Sequence, residues 1–106
     1  MRKVVIAGTG SALPARRVTN QDLEKTVDTT HDWIVERTGI HSRYIAGEGE
    51  TTATLAAEAA RRALDAAGIA PCEVGLIVLG TATPDQTFPA SATKVQDILG
   101  VAVPST

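Results

Sequence analysis

Cysteine is almost absent from this 106-residue chain: Cys72 stands alone, which excludes an internal disulfide and any metal site built from several thiolates. Aromatic residues are equally scarce, with one Trp, one Tyr and one Phe, so the core has to be filled by aliphatic side chains and alanine. Nothing approaches the ~18 consecutive apolar residues that a membrane span requires. Charges of both signs are interspersed, with a net charge of −2. That balance argues against a nucleic-acid surface or a polybasic membrane anchor. Met1-Arg2-Lys3 followed by Val4 to Ala7 begins like a signal peptide, but Gly8, Gly10 and Pro14 interrupt the apolar run at once. The expectation is a cytoplasmic chain, long enough for one domain with one modest core.

What the chain does have is concentrated between Asp28 and Ile45, DTTHDWIVERTGIHSRYI. This stretch holds Trp33, Tyr44 and both histidines, His31 and His41. Asp32, Glu36, Arg37 and Arg43 surround a short apolar centre of Ile34 and Val35. Thr30 or Asp28 can cap a helix from His31 to Arg37, and Gly39 is placed to end it. Ile40 to Ala46 alternates and is expected to form a short exposed strand. Upstream, Thr19 can cap a helix reaching about Val27, with Asp22 at its third position and Val18 stapled onto Leu23.

Lys3 to Ala7 and Val74 to Leu79 are β-branched or aliphatic runs without alternation, which predicts strands buried on both faces. Gly8-Thr9-Gly10 after the first of them resembles half of a dinucleotide-binding fingerprint. Leu13 occupies the third glycine's place, however, and Pro14 opposes the strand-to-helix turn, so the glycines are read as sites of close backbone packing. Thr52 to Ala67 is an amphipathic helix, with Leu55, Ala56, Ala59, Ala60, Ala63, Leu64 and Ala67 on one face. Glu58 precedes Arg62 by four residues, and Gly68 and Pro71 stop the helix. Thr81 to Phe88 is a polar loop in which Asp85 is a turn residue. Ala90 to Leu99 is a further amphipathic helix ending at Gly100, and Val101 to Val103 is placed to begin another strand. Strands alternating with helices indicate an α/β fold with a parallel sheet. Two strands and the start of a third are too few for such a sheet, which reads as part of a larger layered domain.

Several of these segments together resemble the N-terminal part of β-ketoacyl-[acyl-carrier-protein] synthase III, of the thiolase superfamily. They are GTGSALP (Gly8–Pro14), TNQDLE (Thr19–Glu24), DTTHDWIVERTGI (Asp28–Ile40) with Arg43–Ala46, AAEAARRALDAAGI (Ala56–Ile69) and LIVLGTATPDQTFPASA (Leu76–Ala92). The resemblance implies a thiolase-like layered α-β-α fold. Residues 1–106 would be the N-terminal segment of its first half-domain, with an incomplete, mainly parallel sheet and no separate linker or second domain. It implies an acyltransferase that condenses an acyl-CoA primer, such as acetyl-CoA, with malonyl-acyl carrier protein to start fatty acid synthesis. No cofactor is implied beyond the coenzyme A thioester that serves as substrate, and no metal; the full-length protein is expected to be a homodimer.

The family's nucleophilic cysteine, histidine and asparagine fall beyond this chain, so no catalytic residue is expected within it and the chain alone is expected to be inactive. Cys72, in Ala70-Pro71-Cys72-Glu73, has none of the family's motif around it, and Glu73 disfavours a thiolate. Carried over residue by residue, the resemblance places Trp33, Arg37 and Thr29 at the coenzyme A entrance. By chemistry alone, the favoured reading is that Trp33 plugs the gap between helix and sheet, with Arg37 paired to Asp32 or Glu36. Phe88 is implied to shape the acyl pocket of the partner subunit, against the alternative of a local anchor for its loop. Competing readings are a related acyltransferase or ketosynthase of secondary metabolism, and a non-catalytic truncated fragment.

Overall fold

The computed structural model describes residues 2–86 and 88–101. The chain divides into two compact units, Met1–Ala12 with Gly49–Thr106, and Leu13–Glu48.

The Leu13–Glu48 unit is a two-stranded ribbon with two short helices. Strand β1 (Arg16–Thr19) pairs antiparallel with β2 (Ser42–Ile45), in a register that sets Val18 opposite Arg43 and Thr19 opposite Ser42. Thr19 ends β1 and caps α1 (Asn20–Glu24): its hydroxyl accepts from Asp22 N–H at 3.1 Å, and the Asp22 carboxylate accepts from Thr19 N–H at 2.9 Å. The Thr19 cap and the third-position Asp22 are those expected, and the structure joins them in a reciprocal capping box; the helix stops at Glu24, short of Val27. Helix α2 (His31–Thr38) is capped by Thr30 and terminated by Gly39, whose φ of 70° lies in the left-handed region that a Cβ disfavours. Of its side chains only Ile34 is buried. The strand expected over Ile40 to Ala46 is β2; its partner β1, a run of two arginines, a valine and a threonine, carries too little alternation to be seen in advance.

In the other unit, α3 (Thr52–Ala67) has the predicted limits and is capped by Thr51 and ended by Gly68. A 3₁₀ turn (Pro71–Glu73) follows it, and α4 (Ser91–Leu99) ends at Gly100. Ala53 and Ala57 of α3 and Val95 of α4 are the buried centre, with Ala56, Leu79 and Leu99 packed around them. The covered face is therefore rotated from the one expected, toward the side of α3 that meets α4. The other alanine edge of α3 receives the Gly8–Gly10 segment. A Cβ on Gly8 would lie 2.6 Å from the carbonyl oxygen of Ala63 and 2.9 Å from both N and Cβ of Ala67, and one on Gly10 would collide with the backbone of Ala59 and Ala63. The two glycines thus serve close helix approach, as anticipated. Glu58 pairs with Arg62 at 3.2 Å and with Arg61 at 2.8 Å on the exposed side.

The parallel strands are not formed among the described residues. Neither Lys3–Ala7 nor Val74–Leu79 makes a ladder, and Ile77 alone is in a bridge. Val4, Val5 and Ile6 are 96, 78 and 87% exposed, and Leu76 and Val78 are 58 and 74% exposed. Strands buried on both faces need neighbours along their edges and a layer on each side; among the described residues neither run forms a ladder of this kind. The only hydrogen-bonded sheet among the described residues is the antiparallel β1–β2 pair. The strand expected at Val101–Val103 lies, beyond Val101, outside the described residues.

Candidate coenzyme A site on helix α2

Thr30 sets the geometry of the site. Its hydroxyl accepts from Trp33 N–H at 3.2 Å, so the chain turns into α2 immediately after Thr29 and brings the indole beside that turn. Val27, Asp28, Thr29, Thr30 and Trp33 line an open cleft of about 380 Å³. One helical turn beyond Trp33, the Arg37 guanidinium lies over the indole, its Cζ 4.3 Å from the ring centroid. A cation over an exposed indole is worth about 0.5–1 kcal/mol and holds both side chains in a defined stack. Trp33 remains 51% exposed, and Arg37 turns to the ring instead of to Asp32 or Glu36.

Thr29, Trp33 and Arg37 are thus brought together, the first two as cleft walls and the third on the ring. Chemically this is a flat aromatic platform with a cation over the ring and a threonine in the same cleft wall, suited to a planar base that carries anionic groups. Asp28 is the one carboxylate among the cleft walls.

Between the ends of α2 and the β1–β2 ribbon is a polar cluster that local spacing did not suggest. Asn20 is completely buried, at 0% exposure. Its Nδ2 donates to the Ile40 carbonyl at 2.7 Å and lies 3.0 Å from His31 Nδ1, and its Oδ1 accepts from Arg43 Nη2 at 2.7 Å. Its backbone N–H donates to His41 O at 3.1 Å. Both amide hydrogens are therefore engaged, and His31 accepts through Nδ1 with its hydrogen on Nε2. The His31 and His41 rings meet at 5.4 Å, and Glu24 accepts from His31 N–H at 2.7 Å. These partners are eleven to twenty-three residues from Asn20, beyond any local pattern.

Phe88 belongs to the loop before α4 and is 86% exposed, which excludes the role of a local core anchor. Asp85 of that loop is more than a turn residue. Its Oδ1 accepts from Ala53 N–H at 3.1 Å, at the first turn of α3, and its Oδ2 lies 3.5 Å from Lys94 Nζ. Burial alone would raise the Asp85 carboxyl; bonds from Ala53 N–H, the Thr51 hydroxyl and Lys94 outweigh it and hold the group below its ordinary 3.8. Thr52 Oγ1 donates to Thr83 O at 2.6 Å, a second tie between the loop and α3. Cys72 is exposed in the 3₁₀ turn, where the neighbouring Glu73 carboxylate accepts from Ala70 N–H. No helix among the described residues is long and apolar enough to cross a membrane.

No family model matches the chain. Among curated proteins it is 69% identical over 101 residues to a β-ketoacyl-[acyl-carrier-protein] synthase III of Rhizorhabdus wittichii, covering 95% of this chain and 32% of that protein. A synthase III of Sphingopyxis alaskensis is 64% identical over 99 residues, covering 93% and 31%. Among solved structures, 3-oxoacyl-[acyl-carrier-protein] synthase III from Aquifex aeolicus superposes with a TM-score of 0.85 at 45% identity, covering 95% of this chain and 34% of that one. The priming β-ketosynthase of the R1128 polyketide pathway superposes at 0.86 with 36% identity, covering 95% and 31%. The fold is accordingly part of the thiolase-like α/β architecture, and the chain spans about a third of the length of the curated relatives it matches. By sequence and by fold, this chain matches an N-terminal part of β-ketoacyl-[acyl-carrier-protein] synthase III.

Proposed function

We propose that this segment provides the coenzyme A entrance of a condensing enzyme that joins an acyl-CoA primer to malonyl-acyl carrier protein, with release of CO₂. The observation that carries the reading is the Trp33–Arg37 stack at the wall of the Thr29 cleft. The guanidinium covers one face of the indole and leaves the other for the adenine ring, a stack worth about 1–3 kcal/mol by analogy with bases on aromatic side chains. Arg37 offers donors to the phosphates beside the base, and Thr29 offers a hydroxyl at the cleft wall. Coenzyme A enters as the thioester substrate, and neither a metal nor another cofactor is part of the reading. The acyl group is handed to a nucleophile outside this segment, since Cys72 lies exposed on a connector with no base beside it. Phe88, projecting from its loop, is assigned to the acyl pocket of a homodimer partner. By itself the segment binds and orients, and does not catalyse.

A second reading, a priming ketosynthase of polyketide synthesis, draws on the likeness to the R1128 enzyme. The higher identity to proteins named synthase III favours fatty acid priming.

The test is Trp33→Ala in the enzyme that carries this segment. Losing ~1–3 kcal/mol of stacking raises KM for acyl-CoA about five- to 150-fold, while Tm changes little because the indole is half exposed. A large fall in Tm with KM unchanged would instead make Trp33 a packing residue.

A further inference from the structure

We infer that Asn20 is a positioning residue for the nucleotide-binding face: a single buried amide clamps both ends of α2 and so sets how Trp33 and Arg37 are presented. This rests on the coenzyme A reading of α2.

Asn20 Nδ2 reaches the first residue of α2 through His31 Nδ1 and the residue just past its C-cap through the Ile40 carbonyl. Its Oδ1 and backbone N–H tie the same residue to Arg43 and His41, and Arg43 Nη1 also donates to Val18 O at 3.3 Å. The helix is thus referenced to the β1–β2 ribbon by hydrogen bonds whose directions are fixed. Apolar burial supplies little of that reference, because Ile34 is the one buried side chain of α2. Complete burial leaves water no access to replace a lost bond, so the amide cannot be exchanged for solvent without moving the helix.

Asn20→Asp keeps the shape and the Arg43 contact, but a carboxylate has no hydrogen to give the Ile40 carbonyl, and it meets His31 only if the ring moves its hydrogen to Nδ1. His31→Phe keeps a ring against His41 and removes the Nδ1 acceptor together with the exchangeable Nε2 hydrogen. Thr19→Ala removes the α1 capping box, weakens the same unit and leaves the Asn20 bonds in place, so it controls for general loss of stability.

Trp33 is the only tryptophan, so its fluorescence reports α2 alone. Two measurements on each variant decide the matter: acrylamide quenching of Trp33 without ligand, and titration with coenzyme A itself. Asn20→Asp should raise the quenching constant and weaken coenzyme A binding about tenfold, the effect of losing one well-placed buried hydrogen bond. His31→Phe should shift both in the same direction by less, and Thr19→Ala neither. Unchanged quenching and affinity in Asn20→Asp would overturn the clamp. Should that variant not fold, His31→Phe decides: a value indistinguishable from Thr19→Ala refutes the clamp. If quenching responds as stated but the unaltered chain binds no coenzyme A, the clamp stands and the nucleotide reading falls.

Discussion

The segment Gly8-Thr9-Gly10 provides the sharpest test of how this chain is packed, because two functions compete for the same glycines. In a phosphate-binding loop, a methyl group at Gly8 would impair a ligand and leave stability near its original value. Against α3, that methyl would sit 2.6 Å from Ala63 O and 2.9 Å from Ala67 N and Cβ, well inside van der Waals contact. These are backbone atoms and a β-carbon, none of which can rotate away, so α3 or the Gly8 segment must shift. Overpacking of this kind costs about 1–3 kcal/mol. Loss of glycine's freedom in the unfolded chain returns ~0.4–1 kcal/mol wherever alanine is tolerated. Gly8→Ala should therefore destabilise by a net ~1–2 kcal/mol, and at ~4–8 °C per kcal/mol for a domain of this size, Tm should fall by roughly 5–15 °C. Gly75 is the internal control: nothing lies within 4 Å of a Cβ built there, so Gly75→Ala should be neutral or slightly stabilising. Thermal melts followed by circular dichroism at 222 nm measure both. A Gly8→Ala chain as stable as Gly75→Ala would refute the close-packing account.

Asp85 makes α3 acid-sensitive. Its carboxyl is held below the ordinary 3.8, so the ionised form favours the folded state above that pH, and the contribution is lost as pH falls through the lowered value. Asp85→Asn, which keeps an acceptor for Ala53 N–H but carries no charge, should remove this part of the acid transition in melts taken between about pH 5 and 2; an unaltered transition would assign it elsewhere, for example to Asp22, also lowered, by its bonds from Thr19. Cys72, exposed and without an activating base, should react with a maleimide and leave coenzyme A binding intact. Incubation with acetyl-CoA should add no acetyl mass to the chain, and a covalent acyl group on Cys72 would overturn its assignment as a connector residue.

Features written in neighbouring residues were legible in the sequence. The Thr19–Asp22 capping box, Thr30 and Gly39 around α2, and the full extent of α3 depend on contacts three or four residues apart, where spacing alone specifies geometry. So did the proximity of Trp33 and Arg37, one turn apart on a helix. What failed depends on partners distant in sequence. Lys3–Ala7 and Val74–Leu79 have strand composition, yet composition cannot supply the neighbouring strand that a ladder needs. β1 pairs with residues more than twenty positions away, and its composition is that of a charged surface. The Asn20 cluster escaped for the same reason, and Asp85 was read as a local turn because its bond to Ala53 crosses thirty-two residues.

These two kinds of information divide the site itself. The chemistry of recognition, an indole, a guanidinium and a hydroxyl, is local and can be read from DTTHDWIVER. Its precision is not local. Burying Ile34 contributes roughly 1.5–3 kcal/mol, but the hydrophobic effect has no direction, and an eight-residue helix resting on one isoleucine is free to roll about its axis. A roll of one side-chain width would carry Trp33 off the cleft wall and would be opposed on the apolar side only by partial exposure of Ile34 and Val35. Hydrogen bonds with fixed donors and acceptors oppose that rotation, and at both ends of α2 they come from the same amide. The residue that most constrains the α2 face is therefore Asn20, which lies in the TNQDLE segment and acts through partners distant in sequence.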